Sequence, residues 1–260
     1  MTEPSPFDSP QAFVKEPESK QWWKLTVTEV LVIIFIIAVL LGLLLPPITS
    51  QPRINSRIDQ SMNQMNNIGY ALQSYHDTYD CLPPAVVTDA DGQPLYSWRV
   101  LILPFIEQKN LYDQFDLSQP WDSKTNGPLA EQVPYPLESP FLGPSAQLGV
   151  TTYLAVVDPA EQRTLMLAHK GGILDEVPCL LGEASLVVEH VGRPVIWTKP
   201  EDISPFELIA QPPIDQNGDS KCPVLLGDGS VRVLDAKNQS QFRNELLCEE
   251  VAAAEDPGKR

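Results

Sequence analysis

Histidine is almost absent from this chain, with three residues, and cysteine is scarce, with four. Cys81, Cys179, Cys222 and Cys248 form no CxxC pair, so no zinc ribbon is encoded. Two redox states stay open: one or two disulfides outside the cytoplasm, or four free thiols. Basic residues are also few, 18 Lys and Arg against 34 Asp and Glu, for a net charge of -16. A surface that acidic repels phosphate backbones, which argues against nucleic acid as a partner. No G-x-S-x-G, H-E-x-x-H, Walker loop or dinucleotide fingerprint occurs. His76, His169 and His190 lie apart in sequence. His190 follows Glu189 in a β-branched run, where neighbours face opposite ways and cannot chelate one ion together. No catalysis and no cofactor are expected.

What the chain does have is one long uncharged run, 16 residues from Val30 to Leu45. Extended back to Leu25 it spans 21 residues, about 30 Å of helix and the thickness of a bilayer core. The expectation is a transmembrane helix over 25–45. "LLLPPITSQPR" follows, with no A-x-A cleavage pattern and no lipoprotein cysteine, which argues against a removed signal. Lys15, Lys20 and Lys24 precede the run, and Arg53 and Arg57 follow it, placing the N-terminus inside.

After Pro46, Pro47 and Pro52, which are expected to kink or break the helix, the pattern changes. Ile54, Ile58, Met62, Met65, Ile68, Leu72, Tyr75 and Tyr79 recur at steps of three and four, one stripe of an amphipathic helix. The expected organisation is a disordered cytoplasmic tail over 1–24, the span over 25–45 and an amphipathic extension over 46–80. An extracytoplasmic α+β domain follows over 81–252, and 253–260 is a tail.

Such a helix resembles the type IV pilin and pseudopilin plan. The prepilin signature is Gly followed by Phe-Thr-Leu-Ile-Glu and an apolar run. The aligned residues here are Lys24, Leu25, Thr26, Val27, Thr28 and Glu29. Thr26 and Glu29 match, whereas Lys24 stands where the processing peptidase expects Gly. The resemblance implies that Glu29 neutralises the free N-terminal amine of a neighbouring subunit. With Lys24 opposing cleavage, an acid tolerated at the membrane edge is the alternative.

Six further blocks resemble the prepilin-anchored bacterial domain-of-unknown-function family fifteen fifty-nine, formerly labelled a solute-binding-protein type. They are "IGYALQSYHDTYDCLPPA", "DADGQPLYSWRVLILPFIEQKNLYDQF", "PWDSKTNGPLAEQVP", "TTYLAVVDP", "ASLVVEHVGRPVIWTKPEDI" and "LLGDGSVRVL". With the prepilin motif they extend the resemblance over residues 25 to 235. It implies a pilin-like anchor with an extracytoplasmic domain, and no established reaction. Two departures stand out: Gly218 occupies a position where the family carries His, and Ser139-Pro140 replaces a Cys-Pro-Ser.

Within the domain, "TTYLAVV" and "SLVVEHV" read as strands. "PFIEQKNLYDQF" reads as a short helix with Pro104 at its first position, and "QSQFRNELLCEEVAAA" as a closing amphipathic helix. Asp228 and Gly229 between "VLLG" and "SVRVL" predict a hairpin with a two-residue turn. The oxygen-rich loops offer Asp89 and Asp91, and Asp215, Asn217 and Asp219, as calcium candidates. Neither loop has EF-hand spacing, and turn chemistry alone explains both. Trp98, Trp121 and Trp197 are core anchors or, alternatively, a ligand-stacking face.

The fold expected is α+β and pilin-like, a long N-terminal helix packed on an antiparallel sheet. The function expected is a structural or interaction role for a single-pass inner-membrane protein. Its partners are the lipid bilayer and other pseudopilin-like subunits or type II secretion-like machinery. The alternatives are a tethered solute-, glycan- or ion-binding module and, third, a hydrolase built on one of the histidines.

Overall fold

The computed structural model describes residues 26–44, 51–143, 149–158, 164–174, 181–214, 218 and 220–238. The chain divides into two compact units, Met1–Thr49 and Ser50–Arg260. The tails 1–24 and 253–260, Pro46, Pro47 and the closing helix expected over 239–254 lie outside the described residues.

In the first unit, helix α1 (Val27–Leu44) has 18 residues, a length of about 27 Å. Every described side chain along it is exposed, Phe35 to 70%. Among the described residues no helix is long and apolar enough to cross a membrane. The span expected over 25–45 has residues 25 and 45 outside the described set.

The second unit begins with helix α2 (Gln51–Tyr79). Pro52 sits in its first turn, where a missing N–H costs nothing. Ile58, Met65, Ile68 and Leu72 of the apolar stripe are buried, Met62 and Tyr75 are half-buried, and Tyr79 is exposed. Next come a hairpin of β1 (Val86–Thr88) and β2 (Pro94–Ser97) and the short helix α3 (Trp98–Leu101), capped by Ser97. The helix expected from Pro104 onward is two pieces, a 3-10 turn at Leu103–Ile106 and α4 (Lys109–Tyr112). Glu107, at φ 61, divides them, because a left-handed residue cannot continue a right-handed helix.

The strand expected from "TTYLAVV" is likewise split. β3 (Val150–Thr151) pairs with β6 (Val195–Ile196), and β4 (Tyr153–Ala155) joins the main sheet. That sheet contains β4, β5 (Ser185–Glu189), β7 (Lys221–Leu226) and β8 (Val231–Asp235), in the order β4-β5-β7-β8 and antiparallel throughout. Helix α5 (Pro205–Ala210) starts with a capping box of Ser204 and Glu207. Helices and antiparallel sheets together make the unit α+β.

Two apolar clusters lie on the two faces of this sheet, as a strand's period of two requires. Tyr153, Ala155, Val187 and Leu225 join Met65, Ile68 and Leu72 of α2 in one cluster. Leu154, Val188, Val224 and Leu226 join Leu208 of α5 in the other. Gly69 permits close approach to the sheet, since a Cβ there would meet Leu225 Cδ1 at 2.9 Å. The β7–β8 hairpin closes through three residues rather than two. Gly229 N–H donates to Leu226 O (3.0 Å), Leu226 N–H to Ser230 O (2.9 Å), and Gly229 has φ +83. The three are Gly227, Asp228 and Gly229, and the Gly227 N–H continues the pairing of β7 with β5 by donating to Ala184 O (2.9 Å).

The Gly69–Leu225 approach is directly testable. Gly69→Val is expected to destabilise the protein by about 1–3 kcal/mol through overpacking, measured by urea unfolding. In a Leu225→Ala background the additional cost of Gly69→Val should shrink. An unchanged cost would show that α2 is not seated on Leu225.

Candidate functional site

Two of the buried ionisable groups in the second unit, Glu189 and Arg99, are held by partners distant in sequence. The first is Glu189, the last residue of β5. Period two turns it to the sheet face shared with α2, and it is fully buried. Ser61 Oγ of α2 donates to Glu189 Oε2. Ser139 Oγ (2.7 Å) and Thr152 Oγ1 (3.0 Å) donate to Oε1. Tyr153 OH lies 3.2 Å from Ser61 Oγ and donates to Gln64 Oε1 (3.0 Å), while Gln64 Nε2 donates to Tyr135 O (2.8 Å). The polar side of α2 at Ser61 and Gln64 is therefore inside the protein, tied to strand and loop. Burial raises the Glu189 carboxyl to about 7, and the three hydroxyl donors hold it from going higher. Burial likewise raises the Tyr153 phenol and the Cys222 thiol, whose Sγ contacts Glu189 O (3.4 Å).

The second group is Arg99, fully buried in α3. Its Nη2 donates to Asp202 Oδ1 (2.7 Å), Nη1 to Ser97 Oγ (2.6 Å), and Nε and Nη2 both to Tyr153 O (3.0 and 2.7 Å). Asp202 Oδ1 also accepts from Trp98 Nε1 (3.2 Å) and Ala155 N–H (2.8 Å). Burial disfavours both charges, and their contact opposes that in each. Tyr153 joins the two nodes, its hydroxyl in one and its carbonyl in the other. Together they clamp α2, α3 and the segment carrying Asp202 to strand β4. Both nodes are closed to solvent, so they position elements and admit no substrate.

The residues singled out in the sequence fall elsewhere. Lys24 and Leu25 of the prepilin-like motif lie outside the described residues. Thr26 and Glu29 form a reciprocal cap on α1: Thr26 N–H donates to Glu29 Oε2 (2.8 Å) and Glu29 N–H to Thr26 Oγ1 (3.4 Å). Asp89 Oδ1 accepts from the N–H groups of Asp91 (2.9 Å) and Gln93 (2.8 Å), a turn completed by Gly92 at φ +79. Asp215, Asn217 and Asp219 lie outside the described residues, among which no His, Cys, Asp and Glu cluster fit for a metal occurs. Asp228 Oδ1 accepts from Ser230 N–H (2.9 Å) in the hairpin turn.

Trp98 and Trp197 are fully buried and unavailable for stacking on a ligand, and Trp121 packs half-buried against the core. His76 sits beside Asp77 (4.0 Å), His169 is exposed, and His190 Nε2 lies 2.8 Å from Gln211 O. Cys81 and Cys222 are free thiols, while Cys179 and Cys248 lie outside the described residues. Two of the clamp residues that no motif announced, Arg99 and Glu189, carry a visible signal. Arg99 stands alone in "LYSWRVLIL", and Glu189 interrupts "SLVVEHV". A charge inside an apolar run needs a buried partner.

Most of the clamp lies within one recognisable stretch. Residues 50–173 match the family described as "Protein of unknown function (DUF1559)". This DUF1559-like segment is 124 of the 260 residues. Four of the six blocks fall inside it, whereas "ASLVVEHVGRPVIWTKPEDI", "LLGDGSVRVL" and the prepilin motif lie beyond the matched residues. The DUF1559 segment supplies Ser61, Arg99, Ser139, Thr152 and Tyr153, and each node is completed from beyond it, by Glu189 or by Asp202. Ser139, at the position where the resemblance would place Cys, serves as a donor to Glu189. No curated protein and no solved structure matches the chain.

The Glu189 node makes stability depend on pH. Folded Glu189 titrates near 7 against an ordinary 4.5. Its contribution is therefore fully present below about pH 4.5 and is lost as pH rises through about 7, a loss of about 3 kcal/mol. Glu189→Gln keeps an acceptor for the hydroxyls and removes the titration. Between pH 5 and 8 the wild-type unfolding midpoint should fall relative to that of the variant. Parallel curves would show that Glu189 is not the group responsible. For the second node, Asp202→Ala leaves Arg99 buried without its counter-charge and should cost about 3–5 kcal/mol in urea unfolding.

Proposed function

We propose that the protein is a membrane-anchored, pseudopilin-like component of the bacterial envelope, with a structural or interaction role and no catalysis. Residues 25–45 lie in the inner membrane with the N-terminus inside, and the second unit lies on the far side. On this reading α1 and α2 are the membrane half and the domain half of a pilin-like N-terminal helix, with α2 seated on the sheet. Other pseudopilin-like subunits or secretion machinery are the protein partners.

The observation that carries the proposal is the exposure of α1. A helix made of Val, Ile, Leu and Phe, exposed along its described length, calls for an apolar surrounding. Its one acid, Glu29, supports the same reading. The carboxylate is placed at the first turn, where the helix dipole and the Thr26 N–H stabilise it, so it can remain at a membrane edge without a counter-charge.

Two measurements on the full chain test this. Membranes carrying the protein are washed with alkaline carbonate, and retention in the pellet is expected; release into the supernatant would overturn the anchor. The intact mass of the extracted protein then reports its N-terminus. A start at Leu25 means that Lys24 permits prepilin processing and favours subunit assembly, while a start at Met1 means a permanent anchor.

A further inference from the structure

A groove of 450 Å³ opens on the second unit, lined by Asn67, Tyr70, Phe105, Glu107, Gln108 and Tyr135 among others. That volume is within the range of small-ligand sites. Part of its wall is held by contacts within the protein. Asn67 and Tyr70 are three residues apart on α2 and so share a face. Phe105 is held edge-on by Tyr75 and Tyr79, with centroids 5.9 and 6.5 Å away. Tyr135 is fixed through its carbonyl, which accepts from the buried Gln64 amide at 2.8 Å. Glu107 holds a left-handed backbone at φ 61, a conformation that costs energy in a non-glycine residue and recurs at ligand clamps.

The chemistry of the lining is selective. Tyr70 is 74% exposed and Tyr135 55%, so both rings are open to a ligand in the groove. Phenols and amides both donate and accept hydrogen bonds, as a polyhydroxylated ligand requires. No Lys, Arg or His lines the groove, and Glu107 is its one charge, on a chain of net charge -16. Phosphates and carboxylates are therefore repelled. Aromatic rings present an apolar face beside a polar edge, which suits the alternating C–H and O–H surface of a sugar. The geometry points to a binding site for a neutral oligosaccharide, held against Tyr70 and Tyr135 with its hydroxyls on Asn67, Gln108 and Glu107. This goes beyond the anchored role proposed above and holds whether or not the N-terminus is processed.

The test uses the full chain in lauryldimethylamine oxide, a detergent without a sugar headgroup. Binding of cellohexaose, chitohexaose and mannohexaose is followed by titration calorimetry and by saturation transfer from protein to sugar. At least one is expected to bind, and Tyr70→Ala and Tyr135→Ala should each weaken it by about tenfold, the effect of truncating an anchoring aromatic. Phe206→Ala, an exposed aromatic that does not line the groove, should leave binding unchanged. Both tyrosines are exposed, so unchanged unfolding midpoints will show that the variants remain folded. Absence of binding by all three sugars at 10 mM overturns the proposal, as does binding that the tyrosine variants leave intact. If the variants instead abolish self-association seen by sedimentation while no sugar binds, the groove is a contact between copies and the proposal falls.

Discussion

Glu189 is the constraint on which the rest of the second unit depends. Its carboxylate is out of water, and burying it is tolerable only because hydroxyls from three separate places converge on it. Ser61 comes from α2, Ser139 from the loop before β3, and Thr152 from the step between β3 and β4. Gln64 of α2 also bonds Tyr135 O and Tyr153 OH, and the acid gathers a hydroxyl from each of the three places at one point. Apolar packing places α2 on this face of the sheet, but packing alone tolerates small slides and rotations. A carboxylate with directional donors does not, and Gly69 above Leu225 fixes the same helix in the perpendicular direction.

The second node extends this logic through one residue. Tyr153 spans the space between Glu189 and Arg99, using its side chain toward α2 and its carbonyl toward the guanidinium. Changes at Ser61 and at Arg99 are therefore coupled through a shared partner, although neither touches the other. The DUF1559 segment contains most of these residues but not Glu189 or Asp202. Its stability is accordingly a property of the whole second unit, including strands β5, β7 and β8, and not of the matched stretch by itself.

What the sequence discloses about this architecture follows the range over which each feature is determined. The apolar stripe of α2 and the turn at Asp228-Gly229 are set by residues within a few positions, and both can be read directly. Breaks are harder: the division at Glu107 and the split of β3 from β4 depend on what each backbone group meets in space. The clamp is least legible, because Ser61 and Glu189 lie 128 positions apart. Arg99 and Glu189 are conspicuous as lone charges in apolar runs, yet nothing local names Asp202 or Ser139 as their partners. Thr26 and Glu29 are the opposite case. The residues that match the prepilin signature also spell a capping box, so one local pattern carries both a family resemblance and a complete account of the helix start.

Strand β4 ends one side of the main sheet, and an edge strand offers unpaired backbone groups to any other extended chain. Here Ile203 closes part of that edge by accepting from Val157 N–H and donating to Ala155 O, and the Asp202 carboxylate takes the N–H of Ala155. A side chain that neutralises Arg99 is thus also the stopper on a sticky margin. Losing it would open a template for intermolecular strand pairing at the place where the fold has just been weakened. One carboxylate thus serves both the buried guanidinium and the sheet's margin.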